Sequence, residues 1–199
     1  MKKKNIKATK AYKLGDSGEN KVKLMLDSFN NPDYNIHNIM LLDKNGDTHQ
    51  IDLISITSAG VFVIEVKNVC GYKIYGEPDQ TYWKYDWVKN KELIHCELYN
   101  PIMQNKTHVE KIHKILSDFN APIFSLIVFP NKNQIIHQWD FDEPVINSII
   151  DMKNYILKFP QNKISEEQKL LIKNKILKYH HPEIKLQEHV DNINKKRGS

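Results

Sequence analysis

The chain has 199 residues, 40% hydrophobic and 27% charged, with a formal net charge of +5 and a pI near 9.0. Those figures fit one domain with a sizeable core and exclude a protein spanning a membrane by helices, since no apolar run approaches the ~20 residues such a span needs. The basic start, MKKKNIKATKAYK, has no apolar stretch behind it and so does not read as a secretory signal, which points to the cytoplasm, while the positive excess leans towards an anionic partner.

Residues 1–13 read as a basic tail. Asp16 and Ser17 are then candidate N-caps for a helix through GENKVKLMLDSF, in which Val22, Met25, Leu26 and Phe29 recur at helical spacing. NPDYNIHNIMLL enters a first strand, and DKNGDT, with its Asn45-Gly46 pair, is a turn. HQIDLISI and VFVIEVKN are β-rich runs joined by the short TSAG turn, so they form a hairpin. YKIYG is a further short strand, and TYWKYDWVKNKELI is an aromatic hairpin turning at Lys89-Asn90-Lys91. Asn100-Pro101 opens a helix to about Leu116, with Ile102, Val109, Ile112 and Leu116 on its apolar side. IFSLIVFP is a buried strand; a helix near Ser148 to Phe159 and a Ser165-capped helix, SEEQKLLIKNKILKYH, follow. This order predicts an α/β or α+β core around a central mixed sheet over residues 14–160, with 161–199 as a helical extension ending in a second basic tail. Cys70 and Cys96 form no C-x-x-C pair and read as two free thiols.

One segment carries charge where apolar residues are expected. In VFVIEVKN, Glu65 and Lys67 alternate with apolar neighbours and share a strand face with Val61 and Val63. If Ile56 pairs with Val61 around the Thr57–Gly60 loop, the antiparallel register sets Asp52 opposite Glu65, with Cβ atoms about 4.5–5.5 Å apart. Two carboxylates so close repel unless a proton or cation lies between them. A hard divalent ion, Mg²⁺ or Mn²⁺, is the simplest occupant: it takes carboxylates, a backbone carbonyl such as that of Val66, water and phosphate oxygens. Lys67 would then reach a phosphate or an attacking water, stabilising developing charge or aligning the nucleophile. The plainer alternative is a salt bridge at a strand edge.

These residues resemble the signature of the PD-(D/E)XK nuclease superfamily, in which an Asp on one strand and an acid-x-Lys on the next assemble a Mg²⁺ site. More closely, the chain resembles the NERD (nuclease-related) domain through GENKVKLML, HQIDLISITSAGVFVIEVKNVCGYKIYG and NPIMQN, over roughly residues 14 to 130. The resemblance implies a restriction-endonuclease-like core of αβββαβ order. It also implies a catalytic set of Glu19 from the first helix, the metal-binding Asp52 and Glu65, the catalytic Lys67, and Gln104 beside them. The expected activity is metal-dependent hydrolysis of nucleic acid, DNA first, without a membrane partner. The alternative is a non-cleaving nucleic-acid-binding or scaffold module on the same fold. His49 is a candidate general base, but strict alternation turns it away from Asp52. His108, one turn after Gln104, either touches a phosphate at the rim or is an ordinary exposed histidine. The aromatics of TYWKYDW either stack on bases or pack on the sheet. The last helix covers the core or a second subunit, which allows a homodimer.

Overall fold

Strands and helices sort themselves by which edges of the two central strands remain open. The computed structural model describes residues 17–131, 135–136 and 142–184; the two basic tails and the Asp16 cap lie wholly or largely outside them. Residues 17–27 form α1, with Ser17 already inside the helix rather than capping it. A 3-10 turn, Pro32–Tyr34, leads into β1 (Asn35–Leu42), β2 (Thr48–Ile56) and β3 (Val61–Val66). Then come β4 (Lys73–Tyr75), β5 (Tyr82–Lys89), β6 (Glu92–Tyr99), α2 (Pro101–Ile115) and β7 (Ile123–Val128). The short β8 (Ile135–Ile136) and β9 (Val145–Ile146), α3 (Ile149–Leu157) and α4 (Glu166–Leu177) complete the described elements.

The main sheet has the order β1-β2-β3-β7-β9 and is mixed: the first three strands are antiparallel neighbours, and β7 and β9 run parallel to β3. The TSAG hairpin takes the expected register, Ile56 opposite Val61 and Leu53 opposite Ile64. β2 and β7 occupy both edges of β3, so β4 and the β5–β6 hairpin find no edge there. They pair with each other instead, in a second sheet of order β6-β5-β4-β8 that the chain order did not foretell. Asn90 and Lys91, at φ 51° and 67°, close that hairpin as a two-residue turn whose twist suits the flanking strands.

Helices cover both faces of the main sheet. On one side Ile54, Ile56, Val61 and Val63 pack with Ile112 of α2, Leu116 just past its end, and Ile172 and Ile176 of α4. On the other, Leu53, Phe62 and Ile64 pack with Val22 and Leu26 of α1 and Met152 and Ile156 of α3. The second sheet contributes Ile74 and the fully buried Trp83, which join Ile102, Ile127 and Phe129; Trp83 of the aromatic hairpin therefore packs rather than stacks on a base. This is the flanked mixed sheet of a restriction-endonuclease-like α/β fold. Among the described residues no helix is long and apolar enough to cross a membrane.

β2 departs from strict alternation at Asp52. Ile51 and Ile54 belong to the same core cluster, although a regular strand would send them to opposite faces. The β1–β2 pairing passes from His37–Leu53 to Ile39–Ile51, and Asn38 between them adopts φ 54°. The strand pair thus turns over at the residue that carries the candidate ligand.

Candidate active site

The site forms where β2 and β3 part. Their main-chain pairing ends at Leu53–Ile64, and beyond it the Asp52 carboxylate takes over, its Oδ2 accepting a hydrogen bond from the Val66 N–H at 2.8 Å. β3 continues instead along β7, with Lys67 N–H donating to the Val128 carbonyl at 2.9 Å. The parting of the strands leaves room for side chains that a closed ladder would exclude.

Lys67 Nζ donates to Glu65 Oε1 and, at 2.9 Å, to Gln104 Oε1. Gln104 is placed by the start of α2. Asn100, fully buried, caps the helix by accepting from Ile102 N and Met103 N, while its amide donates to the carbonyls of Pro78 and Gln80. Pro101 sits in the first turn, where its missing N–H costs nothing. One turn later Asn105 donates to the Val63 carbonyl and to Ser125 Oγ, both at 2.9 Å, pinning α2 across β3 and β7.

Glu19 arrives from the opposite layer. A Cβ on Gly18 would meet Asn68 Cβ at 2.4 Å, so only glycine lets α1 seat its first turn against the end of β3. From there the Glu19 charge acts on both Glu65 and Lys67. The structure therefore brings Glu19, Asp52, Glu65, Lys67 and Gln104 to one end of the sheet.

The electrostatics are those of unmatched charge. Burial, and then the neighbouring Glu65, push the Asp52 carboxyl up to about 8, against partial relief from Lys67 and the Val66 N–H. Burial raises Glu65 as well, with Lys67 opposing it. For Lys67, burial pulls downward, but Glu65 and Asp52 outweigh it together and hold the ammonium above its ordinary value. Asp52 is 9% and Glu65 1% exposed, and Glu65 Oε2 has no hydrogen-bond partner among the described residues.

That orphaned oxygen, beside a second desolvated acid, is the feature a cation would satisfy. Among the described residues no three His, Cys, Asp or Glu side chains form a group able to hold a metal. The donor set suits Mg²⁺ or Mn²⁺ all the same, since Mg²⁺ commonly binds one or two carboxylates and takes its other ligands from water and substrate.

Two residues of the site escaped the sequence reading. His108 is not an exposed rim histidine: it is 4% exposed, with Nδ1 at 3.5 Å from Glu65 Oε2. Its position four residues after Gln104, on the same helix face, was the available signal. Asn105 carried no signal, because its partners are backbone and a serine on strands far off in sequence. His49 lies apart from these residues, its Nε2 3.1 Å from Asp43 Oδ2. The cleft lined by Asn30, Thr57, Gln161 and Lys169 lies away from these side chains.

A family model described as nuclease-related domain, NERD, matches residues 14–130, which contain all of these side chains. An uncharacterized protein of Bacillus anthracis, pXO1-01, is 34% identical over 119 residues, covering 59% of this chain. The chain spans 53% of that relative's length. No solved structure matches.

Proposed function

The chain belongs to the nuclease-related domain family, and from that premise we propose that it is a Mg²⁺- or Mn²⁺-dependent nuclease hydrolysing phosphodiester bonds, with DNA as the first substrate to test. One observation carries the reading: two adjoining desolvated acids, one of them with a buried oxygen that lacks a hydrogen bond, face a lysine that is itself held in place by Gln104. A purely structural salt bridge would not need the second acid.

Asp52, Glu65 and the Val66 carbonyl would hold the ion. When bound, a divalent cation supplies a water of lowered pKa and neutralises charge on the phosphodiester. Lys67 remains an ammonium across the neutral range and presents a fixed positive charge to a phosphorus oxygen as negative charge grows there. Gln104 keeps its amide oxygen on Lys67, so the ammonium does not swing into solvent between turnovers. Glu19 lies within electrostatic reach of Lys67 and Glu65, where it can orient a water on the side opposite α2.

The test is a cleavage panel on circular and linear DNA and RNA with Mn²⁺ or Mg²⁺, comparing wild type with Lys67→Ala. Wild type should cut and the variant should lose about 10²–10³ in rate. Intact substrates throughout would overturn the reading. A second reading, a nucleic-acid-binding module that no longer cuts, draws on the want of a third acidic or histidine ligand among the described residues. Calorimetry with Mn²⁺ separates the two, because Asp52→Ala should weaken binding in a nuclease and change nothing in such a module.

A further inference from the structure

α2 runs antiparallel to β3, and the two repeats nearly match: four helical residues advance about 6 Å and two strand residues about 6.6 Å. Gln104 therefore meets Lys67, and His108, one turn on, meets Glu65, two residues back along the strand. A turn later, Ile112 shares a core cluster with Val63 and Val61. Asn105, anchored to the Val63 carbonyl and Ser125 Oγ, stops the helix from sliding out of this register.

Within this match Glu65 is gripped on one oxygen only. Lys67 donates to Oε1, while Oε2 is buried, lacks a hydrogen bond and faces His108 Nδ1 at 3.5 Å. That separation is just beyond a hydrogen bond, and a small rotation of the imidazole closes it. We infer that His108 is a positioning residue for Glu65, donating from Nδ1 to Oε2, so that Gln104-x-x-x-His108 on α2 is the counterpart of Glu65-x-Lys67 on β3. A carboxylate offers about four lone-pair sites, so one donor on each oxygen fixes its plane and still leaves lone pairs turned towards Asp52. Partners of this kind behind a metal ligand are worth about 10–100-fold in metal affinity.

The consequence for metal rests on the proposed function, whereas the contact itself does not, and the experiment reads them separately. In the full chain, Asn at 108 places an amide N–H near the position of Nδ1, Gln places one near Nε2, and Leu offers none. Ring ¹⁵N NMR of wild type should show a protonated Nδ1 whose shift moves in Glu65→Gln; a bare Nδ1, or a shift that stays put, overturns the inference. Calorimetry with Mn²⁺ alone should give His108→Leu and His108→Gln a Kd weaker by about 10–100-fold, and His108→Asn a Kd within about threefold of wild type. A Leu variant that folds and binds Mn²⁺ as wild type does also overturns it. If wild type binds no Mn²⁺ but its Nδ1 answers to Glu65, the clamp stands and the metal-site reading fails.

Discussion

Two acid clusters lie on neighbouring sheets, built from the same kinds of residue yet opposite in character. Asp86 on β5 is met by donors from both adjoining strands: Tyr75 Oη at 3.1 Å and His95 Nδ1 at 2.6 Å, with Lys73 and His95 in register on either side. The His95 contact, and then Tyr75, hold its carboxyl below the ordinary range against the opposing effect of burial. Asp52 and Glu65 are held above it, by burial first and, for Asp52, then by the neighbouring Glu65, at the point where their strands part. Where the sheet stays closed its acid meets donors from the neighbouring strands, and where the strands part Glu65 keeps a buried oxygen with no hydrogen bond among the described residues.

Asp52→Asn should break the contrast most sharply. Removing the acid should cost about 10³ or more in cleavage rate, measured with saturating Mn²⁺, yet stabilise the metal-free protein by on the order of 2–5 kcal/mol at pH 8 in urea melts. The sign follows from proton binding. Asp52 holds its proton more tightly folded than unfolded, so metal-free wild type loses stability as pH rises from near the ordinary 3.8 to about 8 and levels off above. The Asn variant should lack that slope. Asp86 runs the other way: its contribution is present above 3.8 and is lost as pH falls through its lowered folded value, a slope that Asp86→Asn should remove.

A smaller effect is expected where the two regions are joined. Asn100 ties residues 78 and 80, on the approach to β5, to the first turn of α2. Asn100→Ala should cost about 2 kcal/mol in thermal or urea unfolding through the lost cap and unpaired carbonyls. It should also slow cleavage, since Gln104 loses its fixed starting point. Smallest of all, His95→Ala should change stability by less than about 1 kcal/mol and leave cleavage unaltered, because the His95 side chain is mostly exposed and its partner, Asp86, belongs to the other sheet. A large loss of activity there would erase the distinction between the two clusters.

Much of this architecture was legible beforehand. Helical spacing marked α1 and α2, the Ser165 cap marked α4, and the Thr57–Gly60 turn set the β2–β3 register. The charges of Glu65 and Lys67 stood out because they interrupt an apolar strand, and Asp52 followed from the register. The second sheet was not legible, because the strands of the aromatic hairpin look alike whichever edge they join. Nor was the turnover at Asn38 and Asp52, since alternation was assumed to continue. The burial of His108 against Glu65 was not legible either, because no helical period says which partner a helix face will meet.

What the amino-acid order determined by itself is what short-range physics controls: caps, turns, side-chain alternation, and the presence of two acids and an amine in an apolar setting. What tertiary structure decided is which groups hold those charges. Gln104 and His108 reach Lys67 and Glu65 only because a helix about forty residues further along lies down across β3 in matching register. Local sequence encodes each repeat, but the alignment of two repeats across a packed interface is a property of the whole core.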